Sequence, residues 1–284
     1  MLVLMAGCAS EMEGPLSTGV ARTSTPDPTV VPSAQPRPIG LVAIGHSFMT
    51  GEGSAAGLTG EPIPENSWAT GTNPEVNSIY LRMVEAIPET GRNVANVARG
   101  GAAVTDLPAQ VNTALFVVPH PRLLLLRAID NDIRCDGSDE ENVVEFGETL
   151  AQTLAIVAEK SPETTIIVLG QLASPASDAA QFEDLPDVRQ ALGGTGMCDF
   201  FDPDGELVPE ALDTLTAIIG MYEAEQQRVC AEVPQCITDP VAEDAFEHRL
   251  EYVSDDYSHY NVVGQAAVAE HLWPTVAEAL GIGQ

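Results

Sequence analysis

Ser47 stands in "IGHSFMTGEGS" (44–54), straight after the apolar run "PIGLVAIG", with glycines at 45, 51 and 53. A serine hydroxyl is a poor nucleophile unless a base lies beside it. At such a corner it can also serve simply as a helix cap. Among the histidines at 46, 120, 248, 259 and 271, His259 has the setting a base needs. It lies in the polar stretch "SDDYSHYNVVG", three residues after Asp256. One loop can then carry both the imidazole and the carboxylate that fixes its tautomer and stabilises its protonated form. Asp255 is a rival of the same type, and the spacing favours Asp256. His46 is next to Ser47, so its side chain is expected to diverge. His120 lies between prolines, His248 in a charged run and His271 inside a helical pattern.

A developing oxyanion needs donors. "NVARGGAAV" offers the backbone N–H groups of Gly100 and Gly101, which no side chain screens from a substrate. "AIDNDI" offers the amide of Asn131, a residue type also common in plain turns. Asp130 and Asp132 read as turn and structural residues. Met49 excludes the G-x-S-x-G elbow of another hydrolase class.

Together these stretches resemble the four blocks of the SGNH hydrolases, the GDSL-type lipases and esterases. "GHSFMTGEG" (45–53) is similar to G-D-S-x-x-x-G-x-G, with His46 for the aspartate, and "NVARGG" (96–101) to N-x-A-x-x-G. "IDND" (129–132) is similar to G-x-N-D, with Ile129 for the glycine, and "DYSHYNVVG" (256–264) to the closing D-x-x-H block. The resemblance implies a three-layer α/β/α fold with a mostly parallel, flavodoxin-like sheet. It implies Ser47 as nucleophile, His259 as base and acid, and Asp256 as the group that orients His259. The N–H groups of Ser47 and Gly101 and the side chain of Asn131 would form the oxyanion hole. The implied activity is cleavage of carboxylic esters through an acyl-enzyme, with no metal or cofactor; a monomer is expected. A short-chain esterase or lipase and a carbohydrate deacetylase both fit, with a small-molecule or glycan ester as substrate. A non-catalytic glycan- or lipid-binding lipoprotein of the same fold is the second reading, which the His46 and Ile129 departures keep open.

The elements that must position these residues are legible as alternating patterns. Apolar runs at 39–45, 92–98, 122–129 and 164–172 read as buried strands. Helical spacing marks 74–87, 142–160, 209–230 and 261–281, with Asn261 placed to cap the last. Strands alternating with helices predict a parallel sheet covered on both faces, with the site at the strands' C-terminal ends. Loops 48–73, 102–121 and 173–206 are expected to shape the substrate pocket. "DFFDPDGE" (199–206) lacks calcium-loop spacing and reads as a turn.

The balance of 12 basic against 42 acidic residues gives a net charge of −30, and Lys160 is the only lysine. Such a surface repels nucleic acid and anionic membranes. It reads as a solvated acidic shell. "MLVLMAGC" resembles the end of a bacterial lipoprotein signal, with Cys8 as the lipidated residue. The chain is therefore expected to divide into a signal segment 1–8, a Ser/Thr/Pro-rich tether 9–38 and a hydrolase domain 39–284, and to be exported, either as a cell-surface lipoprotein held at the membrane only by a lipid or as a secreted protein. Four further cysteines fit two disulfides in an exported chain, Cys230–Cys236 and Cys135–Cys198, better than zinc, for which there is no C-x-x-C pair.

Overall fold

The structure, a computed structural model, describes residues 37–239 and 246–283. The signal segment with Cys8, and the tether as far as residue 36, lie outside the described residues.

Five parallel strands form one sheet: β1 (Leu41–Gly45), β2 (Val94–Asn96), β3 (Leu123–Arg127), β4 (Thr165–Leu169) and β5 (Cys236–Thr238), in the order β2-β1-β3-β4-β5. That is the flavodoxin-like order, with its switch point between β1 and β3. β1 and β3 pair from Leu41 with Leu123 to Gly45 with Arg127. All five residues of each are buried, which is why they read as unbroken apolar runs rather than alternating ones.

Alternation survives as a division between the two faces. Val42, Ile44, Leu124, Leu126, Ile166 and Val168 pack with α2 (Leu107–Val117), α3 (Asp139–Lys160) and α6 (Pro209–Ala231). Leu41, Ala43, Leu123, Leu125, Ile167 and Leu169 pack with α1 (Ile79–Ala86) and α7 (Val262–Leu280). The result is the expected three-layer α/β/α arrangement. Among the described residues, no helix is long and apolar enough to cross a membrane.

Several boundaries differ from the sequence reading. α1 begins only at Ile79, because Asn77 takes a φ of 48° and Ser78 caps the helix by accepting from Leu81 N. Residues 102–121 are largely the helix α2, which buries Leu107, Val111 and Ala114 and contributes nothing to the site cavity. The stretch 174–206 contains two short helices, α4 (Pro175–Gln181) and α5 (Pro186–Leu192), each opened by a proline. At 202–206 the expected turn is present, with Asp202 Oδ1 accepting from the N–H groups of Asp204 and Glu206.

Asn261 Oδ1 accepts from Gly264 N at 3.0 Å and caps α7, as its position suggests. α3 carries Asp139, Glu140 and Glu141 in its first turn and Lys160 in its last, the charge order its dipole favours. Lys160 is exposed and donates to Asn112 on α2. Both disulfides are formed, Cys135–Cys198 and Cys230–Cys236, each with Cα atoms 5.3 Å apart.

Candidate active site

β1 ends at Gly45, whose φ of +130° turns the chain sharply out of the sheet. A Cβ there would lie 2.0 Å from Arg127 O, so only glycine lets β3 pass this close. Ser47 follows in a single 3₁₀ turn, Ser47–Met49. Asn96 at the end of β2 holds that turn, donating through Nδ2 to Met49 O at 2.6 Å and to Thr70 Oγ1 at 2.9 Å. Trp68 Nε1 donates to Phe48 O at 2.9 Å, and the Phe48 ring packs against Trp68 and Tyr260. The nucleophile candidate is thus held on both sides by groups from distant parts of the chain.

Asp256 and His259 meet as expected: Nδ1 donates to Oδ2 at 2.9 Å. Oδ1 of the same carboxylate accepts from Ser254 Oγ at 2.6 Å and from the N–H groups of Ser258 and His259 at 2.9 Å. Burial works against this charge, but the hydrogen bonds outweigh it and hold the Asp256 carboxyl down at about 2. The loop is pinned shut, since Ser254 N donates to His259 O at 2.8 Å and Val253 pairs with Tyr260. Asp255 instead points elsewhere and accepts from Gly57 N at 3.2 Å.

Ser47 and His259 line one cavity of about 710 Å³ together with Gly101 and Asn131. The Asp256 carboxylate is therefore delivered to the cavity through His259. Among the described residues, no hydrogen bond takes the N–H of Ser47 or of Gly101, which leaves both available to an oxyanion. Asn131 Nδ2 donates one hydrogen to Ala102 O at 3.0 Å and keeps a second. Ile129 occupies the glycine position of its block with a φ of 92°, so the backbone path into Asn131 is of the glycine type despite the β-branched side chain.

Three arrangements went unseen in the sequence. Glu52, between Gly51 and Gly53, lines the cavity and places Oε1 3.8 Å from His259 Nε2. Asp130 is more than a turn residue: it lines the cavity, accepts from Gln171 and lies 3.5 Å from Arg127 Nη2 and 3.1 Å from His46 Nε2. Burial works against its charge, but Arg127, His46 and Gln171 together hold the Asp130 carboxyl below its usual range. His46 itself is buried, which pushes its imidazole down to about 4 and keeps it neutral at pH 7. Its Nδ1 accepts from Phe48 N at 3.4 Å, while the contact with Asp130 is not aligned as a hydrogen bond. Arg127 is also buried; it donates to Gly170 O and stacks 4.4 Å over the Phe48 ring. The third arrangement is His248, whose Nδ1 lies 2.7 Å from Asp178 on another wall of the cavity. The fold creates each of these pairs, and only Glu52, a charge between two glycines beside the nucleophile, left a local signal.

The remaining walls come mainly from 171–201, including Phe182, Leu192, Cys198 and Phe200, with Leu215 and Ile219 of α6. The segment 173–206 therefore shapes the pocket as expected. Segment 48–73 contributes only Phe48 and Glu52, and 102–121 contributes nothing.

No protein-family model matches the sequence, and no curated protein matches it. Solved structures do match. A GDSL-like lipase from Parabacteroides merdae is 15% identical with a TM-score of 0.53, over 86% of this chain and 95% of its own. An extracellular lipase from Streptomyces rimosus is 15% identical with a TM-score of 0.52, over 85% and 99%. A carbohydrate esterase family 2 enzyme with a carbohydrate-binding domain, from Corynascus thermopiles (Myceliophthora fergusii), is 15% identical with a TM-score of 0.52, over 88% and 69%. The likeness is one of fold, and the fold shared is that of the SGNH hydrolases.

Proposed function

We propose that this chain, with its SGNH-hydrolase fold, is a serine hydrolase of carboxylic esters. The observation that supports this most is the meeting, in one cavity, of Ser47, an Asp256-oriented His259 and the uncommitted N–H groups of Ser47 and Gly101. Ser47 Oγ attacks the ester carbonyl as His259 Nε2 takes its proton. The oxyanion is held by the two N–H groups and by the second hydrogen of Asn131 Nδ2. Collapse expels the alcohol, which receives the proton from His259, and leaves Ser47 acylated. Water then attacks the acyl carbonyl, passing a proton to Nε2, and the carboxylic acid leaves as Ser47 regains its hydrogen. Asp256, held ionised by its own hydrogen bonds, stabilises the imidazolium in both halves.

A fluorophosphonate probe tests the assignment. Wild type should be labelled at Ser47, Ser47→Ala should not, and His259→Ala should be slowed nearly as much, because triad members act as a unit. An unlabelled wild type would make the chain a binding module for a glycan or lipid. A panel of p-nitrophenyl esters of rising chain length beside acetylated xylan then separates a short-chain esterase from a carbohydrate deacetylase. The two disulfides favour an exported chain. We assign its membrane attachment to a lipid on Cys8; Cys8→Ser should release the protein from the membrane fraction.

A further inference from the structure

We propose that Glu52 orients the water that deacylates Ser47, an inference that rests on the hydrolase reading above. The turn that carries Glu52 wraps around the Asp256–His259 pair. Gly51 and Gly53 both have a φ of 70°, which fixes the direction of the residue between them. A Cβ on Gly53 would lie 2.8 Å from Asp256 Oδ2 and 3.2 Å from His259 Cβ, so the turn sits directly on the pair. On its other side, a Cβ on Gly100 would lie 2.5 Å from Glu52 Oε2. The carboxylate therefore fills the space between the imidazole and the loop that carries Gly101. Its side chain is only 13% exposed, and its Oε1 lies 3.8 Å from His259 Nε2.

That nitrogen is the working atom of the base: each proton in the reaction passes through it. A gap of 3.8 Å is too long for a direct hydrogen bond and suits an oxygen that touches both groups. During deacylation such an oxygen belongs to the attacking water. One of its hydrogens goes to His259 Nε2 as the oxygen bonds to the acyl carbon. The other stays on the oxygen and donates to Glu52 Oε1, which fixes where the lone pair points. The tetrahedral intermediate then expels Ser47 Oγ, which takes the proton back from Nε2, and the acid departs. Glu52 itself gains and loses no proton. Acylation needs no water, so the role belongs to the second half-reaction alone.

This asymmetry is the test. With p-nitrophenyl acetate, Glu52→Ala should lower kcat about tenfold or more, as expected when a reacting group loses its orientation. KM should fall in proportion, so kcat/KM stays near the wild-type value. A pre-steady-state burst of p-nitrophenol should appear, and intact-mass spectrometry at steady state should find Ser47 acetylated. Glu52→Gln, which keeps a carbonyl acceptor, should recover part of the loss. Labelling by the fluorophosphonate should stay near the wild-type rate in both variants, since it reports nucleophilic attack alone. Parallel falls in kcat and kcat/KM without acyl-enzyme would overturn the proposal, as would unchanged kcat. Should Glu52→Ala fail to fold, Glu52→Gln carries the same readouts. A wild type that resists the probe sinks the hydrolase reading first, and the role of Glu52 with it.

Discussion

Gln110 holds Gly45 by both of its backbone groups: Gly45 N donates to Oε1 at 2.7 Å, and Nε2 donates to Gly45 O at 3.0 Å. A side chain on α2 thereby completes the hydrogen bonding of the residue at which β1 leaves the sheet toward Ser47. Replacing it by leucine leaves the buried N–H of Gly45 without a partner and its C=O with Arg99 N alone, which donates to it at 3.2 Å. Such an unpaired group costs about 1–3 kcal/mol. Gln110→Leu should lower the stability measured by urea unfolding by about 2 kcal/mol or more, and should slow fluorophosphonate labelling of Ser47 in the folded fraction. Labelling at the wild-type rate would show that Gly45 keeps its path unaided.

Two buried groups, His46 and Asp132, titrate with opposite sign over overlapping pH ranges and offset one another in the wild-type stability profile, so a variant is needed to expose either. Burial lowers His46 to about 4, below its ordinary value, so the unfolded chain binds its proton first on acidification. The stability this neutral imidazole supports is complete above the ordinary histidine value and is lost as pH falls through about 4. Asp132, raised to about 6 by burial, acts in the opposite sense, favouring the fold at low pH and losing that contribution as pH rises through about 6. His46→Asn keeps an acceptor for Phe48 N and removes only the first effect. The difference between variant and wild type should therefore grow in the variant's favour from pH 6.5 down to 4, in urea unfolding across that range. A constant difference would mean that His46 does not titrate in the fold as described.

Asp256 acts at lower pH. Its carboxyl is held at about 2, so its contribution is present above the ordinary aspartate value and disappears as pH falls toward 2. The size is about 2 kcal/mol. Asp256→Asn should be less stable than wild type at pH 7 by about that amount, with the gap closing at pH 2, and should lose most ester hydrolysis throughout. A gap that persists at pH 2 would assign the loss to packing instead of charge.

Ile129 offers a reciprocal experiment. A β-branched residue at a φ of 92° is strained, yet its side chain is almost wholly buried. The strain is worth about 1–3 kcal/mol and the burial about as much. Ile129→Gly should change stability by no more than about 2 kcal/mol. It should leave kcat within a few-fold, because the backbone already follows a glycine path to Asn131. A loss of about 10²-fold in kcat would show that the isoleucine side chain aims the amide.

Cys198 lines the cavity, and its partner Cys135 follows Asn131 by four residues. Cys135→Ser with Cys198→Ser should reduce kcat/KM while the sheet remains folded, since Cys135 packs only at the margin of one core cluster and Cys198 lies in neither. The loop-entropy cost is at most about 4 kcal/mol for this bridge and about 2 kcal/mol for Cys230–Cys236. Equal kinetic effects from removing either bridge would dissolve the link between pocket wall and Asn131.

Much of this fold can be read from the chain, because strands buried on both faces leave short continuous apolar runs bounded by turn residues. Ser47, Gly101, Asn131 and the Asp256–His259 pair were legible for the same reason: each sits just beyond such a run or within one short loop. α2 was not, since "LPAQVNTALFV" is apolar around most of its circumference and closes in prolines that look like a loop. β5 is an edge strand of three residues. Glu52, Asp130 and Gln110 were hidden because their partners lie far along the chain, at His259, at His46 and Gln171, and at Gly45. Apart from the two glycines that flank Glu52, local spacing carries no trace of contacts that exist only once the sheet has assembled.

Lys160 ends α3 just before β4 begins, at the edge of the sheet from which the strands set out, whereas the cavity opens where they finish. It is also the only lysine in the chain. An amine-reactive support or dye therefore meets one side-chain target, on the far side of the molecule from Ser47. With the α-amino group blocked, coupling through it would anchor the copies in one orientation, their cavities facing outward.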